Sequence, residues 1–181
     1  MPVSKKNKKP YRKSVRRIQR QVGFKGYSYQ DEFLASPDFP MPKQTRDHYF
    51  LLLFEALDEL EGEMSVNSWN LISEVVNLMQ TFVLFEVCDD ADDLIADGVN
   101  ALADAGRIYI QNRQITFTKE QALTIRAIAN DFTDVAQTVP HRQMVRCHRI
   151  TEARIQAHIK NKDSEIIFVK TTEPESSHTV A

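Results

Sequence analysis

The chain has 181 residues, 42% hydrophobic and 27% charged, with five Gly and seven Pro; this suits one globular domain with an apolar core and excludes a wholly disordered or collagen-like chain. No apolar run approaches the roughly 20 residues of a bilayer span, the N-terminus is charged with no apolar signal core, and Cys88 and Cys147 are too few for a disulfide framework or a four-thiolate zinc site. A net charge of −2 conceals strong segregation: residues 1–25 hold ten bases and no acid, residues 31–104 hold seventeen acids against Lys43 and Arg46, and from 105 onward eleven bases accompany eight acids. These features predict a cytoplasmic protein without a membrane segment, built for partners recognised through charge.

In chain order, residues 1–28 read as a disordered basic arm, because Val15, Ile18 and Val22 are scattered among its bases and bury too little to offset ordering entropy. Those three positions lie at helical spacing, so Ser14 to Gln21 gains a helical option once its charge is neutralised. Pro37, Pro40 and Pro42 make residues 29–44 a stiff linker. A helical domain over 45–162 follows. Its first helix, about 45–61, carries Phe50, Leu53, Leu57 and Leu60 and stops at Gly62. A second helix, capped in Ser65–Ser68, has apolar residues on most of its circumference, from Trp69, Leu71 and Ile72 to Phe82 and Phe85, which predicts a central position. Asp89 and Asp90 open a third helix that ends at Gly106.

Ile108 and Ile110, then Ile115 and Phe117, alternate with polar residues around Gln111–Gln114, predicting a small β-hairpin at about 107–117. Thr118 and Gln121 form a capping box for a fourth helix that runs to Pro140. The fifth helix, about 141–160, carries Met144, His148, Ile155 and Ile159. Residues 163–181 form a mostly loose extension with a short strand at Glu165–Lys170. The fold class is all-α: a bundle of about five helices with the inserted hairpin and the basic arm.

Three motifs resemble known chemistry, and physical argument weighs against each. Asp89-Asp90-Ala91-Asp92-Asp93 resembles the D-D-x-x-D diphosphate-magnesium motif of all-α prenyl-diphosphate and terpene synthases, but no second metal motif accompanies it, and an acidic first helical turn explains it as well. It leaves magnesium-dependent diphosphate chemistry as the residual enzymatic option. Asp58-x-x-Glu61 with Glu86-x-x-Asp89 resembles the split acidic motif of all-α nucleoside-triphosphate pyrophosphatases, yet a helical hairpin closed at Gly62 separates the halves by about 30 Å. The stretch 68–118 resembles a winged helix whose reading helix is too acidic for phosphates. His141 and His148 share a helical face and His148 pairs in register with Glu152, but Cys147 and His158 point elsewhere, so a polar contact inside the bundle is preferred to a metal. No cofactor, metal or nucleophile is assigned.

What remains is charge. Lys5, Lys6, Lys8, Lys9, Arg12, Lys13, Arg16, Arg17, Arg20 and Lys25 are the candidate nucleic-acid contacts, with Tyr11, Phe24, Tyr27 and Tyr29 as stacking surfaces. Glu86, Asp90, Asp93 and Asp97 share one face if a helix runs on through Asp89, and Arg142, Arg146 and Arg149 share another; the two stripes are candidate interaction surfaces that meet within the chain or between subunits. The expected function is a non-enzymatic nucleic-acid-associated accessory or architectural protein, with the arm on phosphates and the helical body on a protein partner or a second copy. The alternative is a protein-binding helical regulator that uses the acidic face of its first three helices.

Overall fold

A computed structural model of the chain describes residues 26–89 and 94–161. Among them are six α-helices: α1 (Tyr29–Leu34), α2 (Lys43–Asp58), α3 (Val66–Leu84), α4 (Leu94–Asn112), α5 (Lys119–Thr138) and α6 (His141–Asn161), with a 3₁₀ turn at Glu59–Glu61 closing α2. Residues 1–25 of the basic arm, Asp90 and Asp93, and the extension from 163 onward lie outside the described residues, whereas Gly26, Tyr27 and Ser28 at the end of the stretch read as arm are described.

The architecture follows from α3. Its buried residues include Trp69, Leu71, Ile72, Val75, Val76, Leu78, Met79 and Phe82 around half of the circumference and Ser73, Asn77 and Thr81 around the other, so little of the helix meets solvent over its middle turns. Such a helix must be surrounded, and α2, α4, α5 and α6 all pack against it. It begins where Ser65 caps it by accepting from the Ser68 N–H, and Glu59 in turn accepts from the Ser65 N–H at 2.6 Å. Burial raises the Glu59 pKa, but the backbone bond from Ser65 and hydroxyl bonds from Ser68 and Ser65 outweigh it and hold the carboxyl below its ordinary value. It ends in a Schellman motif, with Glu86 N–H on the Val83 carbonyl and Val87 N–H on the Phe82 carbonyl. That geometry puts Glu86 at φ 55°, a left-handed conformation usually left to glycine.

α4 packs closely on α5 and α3 through small residues. An added Cβ on Gly98 would come within 2.3 Å of Ile128 Cδ1, so glycine here serves close approach rather than a turn. Thr118 caps α5 with the capping box read from sequence, Gln121 reciprocating.

The hairpin expected at 107–117 is corrected by the structure. α4 continues through Gly106, which is buried in the helix, to Asn112. Arg113 at φ 62° closes it, its N–H on the Tyr109 carbonyl. The apparent alternation of Ile108 and Ile110 is the edge of a helical stripe through Leu102, Ala105 and half-buried Tyr109, and Ile110 is exposed. Ile115 is a buried plug instead, its carbonyl accepting from the Met64 N–H at 3.0 Å. No strand occurs among the described residues; that pair and Pro40–Pro140 are isolated bridges.

The count of about five helices is likewise exceeded. Across the boundary between the stretches read as arm and linker, Ser28 and Asp31 form a reciprocal capping box that starts α1. No residue of α1 is buried, and six residues are too few to be helical alone, so its stability comes from its seat on α6.

Candidate interaction surface

The seat of α1 is built by arginines. Arg142 donates from Nε to the Ala35 carbonyl and from Nη2 to the Phe33 carbonyl, both at 3.2 Å, and its backbone N–H reaches the Ser36 carbonyl at 2.8 Å. Two helical turns further along α6, Arg149 places its guanidinium 3.6 Å from the Tyr29 ring centroid and pairs with Glu32 at 2.8 and 3.0 Å. Burial alone would lower the Arg149 pKa; the bonds to Glu32 and Tyr29 more than reverse this and raise it. The planar guanidinium is what allows stacking and pairing together.

Beneath this seat the entering chain plugs into the bundle. Tyr27 lies against His148 with ring centroids 5.4 Å apart, and His148 Nδ1 is 3.8 Å from the Glu74 carboxylate. Burial pulls the His148 pKa down to about 3, so the histidine is neutral, and the nearby carboxylate does not compensate for lost hydration. Burial, then Glu74 and Asp31, push Tyr27 up to about 12, and burial together with Glu74 and Tyr27 raises Tyr49 as well. A polar seam extends along α3 and α6: the Thr81 and Thr151 hydroxyls are 2.7 Å apart, and Arg154 donates to Thr81 and to Gln80.

The outer surface of the same corner is apolar and basic. Tyr29 and Phe33 are 76% and 77% exposed, Leu34 and Phe39 are also exposed, and Arg146 projects between Arg142 and Arg149 with no ion-pair partner among the described residues. Large exposed apolar side chains are thus clustered on one short segment rather than scattered singly.

Among the described residues, Glu86 and Asp97 of the acidic stripe are not paired with Arg142, Arg146 or Arg149. α3 ends at Leu84 and Glu86 turns left-handed, so no helix runs on through Asp89, and Glu86 and Asp97 stand on different elements. Arg142 and Arg149 spend their donors on the α1 segment. Sequence reasoning missed that use because α1 itself was not anticipated; Ser28 with Asp31, three apart, was the available signal. His148 faces Glu74 rather than Glu152. Among the described residues no group of three or more His, Cys, Asp or Glu side chains is arranged to hold a metal ion, and no helix is long and apolar enough to cross a membrane.

The fold and surface thus define an all-helical bundle with a polar-tethered N-terminal clip. Neither the known family models, the curated proteins nor the solved structures include a match to this chain.

Proposed function

We propose that this protein is a non-enzymatic, nucleic-acid-associated accessory or architectural component, whose basic segment engages phosphates while the helical body contacts a protein partner. One observation carries the reading: the segment with ten bases and no acid joins the fold at Gly26, against Glu152 of α6, whose exposed side also carries Arg146, and three residues before the exposed ring of Tyr29. Phosphate contacts and stacking surfaces in that arrangement favour sequence-tolerant, salt-sensitive binding. The test compares the full chain with one lacking residues 1–25, a cut that leaves Tyr27 and the Ser28 cap in place. Loss of affinity for a single-stranded oligonucleotide and a flatter salt dependence are expected; unchanged affinity and slope refute the reading.

A second reading, the protein-binding regulator, is favoured by α2, which exposes Leu51 and Phe54 among the exposed acids Asp47, Glu55 and Asp58. It predicts that truncation leaves nucleic-acid behaviour unaltered while Phe54→Ser abolishes capture of a basic partner.

A further inference from the structure

The segment that enters the fold is seated on a buried titratable side chain. Half-buried Tyr27 lays its ring on His148, centroids 5.4 Å apart, and the histidine is 6% exposed. Across from Tyr27, the Glu74 carboxylate of α3 lies 3.8 Å from Nδ1. Asp31 of α1 and Tyr49 of α2 belong to the same group of charges, each coupled electrostatically to Tyr27. On α6 itself, Arg149 is committed to Glu32, and Glu152, one turn beyond the histidine, lies against Gly26. The two walls around His148 are unequal. α3 is locked into the core, whereas α1 buries no residue and is tied down by the bonds of Arg142 to the Phe33 and Ala35 carbonyls and by the Arg149–Glu32 pair.

We propose that residues 26–35 form an acid-released clip: protonation of His148 expels the Tyr27 ring and lifts α1 from α6, which frees the Arg142 and Arg149 guanidinia beside exposed Arg146. The coupling follows from burial. With Tyr27 seated, the imidazole is cut off from water and its pKa lies at about 3, Glu74 notwithstanding. With Tyr27 gone, one side of the ring meets water and its proton affinity returns toward the ordinary value. The open state therefore binds the proton more tightly, so falling pH favours it between those two values. Full rehydration makes opening about 30-fold more favourable at pH 5 than at pH 7.5. The entering chain yields rather than α3, because its directed polar ties are individually weak. The clip is independent of the proposed function and goes beyond it by controlling when the Arg142–Arg146–Arg149 face of α6 is free.

The test is amide exchange on the full chain at pH 7.5 and pH 5, with rates corrected for the intrinsic chemistry of exchange. The reporters are the Glu32 and Ala35 N–H groups, bonded to the Ser28 and Asp31 carbonyls. Their protection is expected to stay below that of α3 at both pH values, to fall by up to about 30-fold on acidification, and to lose this fall in His148→Gln. Protection that is independent of pH, that equals protection in α3, or that keeps its wild-type pH dependence in His148→Gln overturns the proposal. Tyr27→Ala supplies a second test without a core substitution. The ring-proton shifts of His148 should stay constant between pH 7.5 and pH 5 in the wild-type chain and move over that range in Tyr27→Ala. A histidine that stays neutral without Tyr27 shows that this ring is not what excludes water, and sinks the clip. No nucleic acid is present, so failure here leaves the phosphate-binding reading standing, and failure of that reading leaves the clip standing.

Discussion

α3 and α1 are held by opposite means. α3 has nineteen residues and buries twelve of them among four other helices; α1 has six and buries none. The first is fixed by apolar area removed from water, a term that grows with each side chain and has no direction. The second is fixed by a few directed contacts from Arg142 and Arg149, which set its place but bring little free energy each. The lesson is that position and stability are separable: α1 can be well placed and still open long before the bundle unfolds.

The largest effect that tests this contrast is a charge in the middle of α3. Val76→Asp buries an unpaired carboxylate at a position 1% exposed and is expected to cost at least about 4 kcal/mol, enough to unfold a marginal domain. Circular dichroism and the Trp69 emission report it; a folded Val76→Asp protein of normal Tm shows that α3 is not central.

The joint between the two regions is His148, which lies under Tyr27 and beside Glu74. Its pKa falls from 6.5 unfolded to about 3 folded through burial, so between those values the unfolded chain binds the extra proton. The stability from keeping it neutral is therefore whole above pH 6.5 and declines as pH falls, by about 1.4 kcal/mol per unit. Urea midpoints at pH 7 and pH 5 should differ accordingly, and His148→Gln should flatten the dependence. Glu59 adds to the acid sensitivity only lower down, its depressed pKa giving stability present above its ordinary range and lost through the folded value.

Smaller still is the end of α3. Glu86→Gly relieves the left-handed strain at φ 55° and is expected to stabilise by up to about 1 kcal/mol, read as a rise in Tm. Loss of stability there means that the Glu86 side chain has a contact outweighing its backbone strain.

Arg149→Ala sharpens the comparison with the least global change. Amide exchange protection over 29–35 should collapse while that of α3 stays, with the denaturation midpoint moving by less than about 1 kcal/mol. Arg149→Lys should restore it only in part, because an ammonium cannot stack on Tyr29 and pair with Glu32 as the guanidinium does. Equal loss of protection in α1 and α3 shows that the two regions open together.

The sequence by itself determined what is local or strongly periodic. The broad apolar pattern of α3, the caps at Ser65 and Thr118 and the break at Pro140 depend on neighbours in the chain, and the structure places them where periodicity and capping chemistry require. Charge segregation was equally legible, being a property of composition. Tertiary structure decided the rest. Whether Ile108 and Ile110 belong to a strand or a helix depends on what α4 packs against, and the close approach of Ile128 at Gly98 belongs to a helical face that continues past Gly106. α1 exists because α6 presents Arg142 and Arg149 to it, more than a hundred residues away along the chain. A short segment without buried residues carries almost no periodic signal; its conformation is written in the side chains of another helix, and only folding brings the two together.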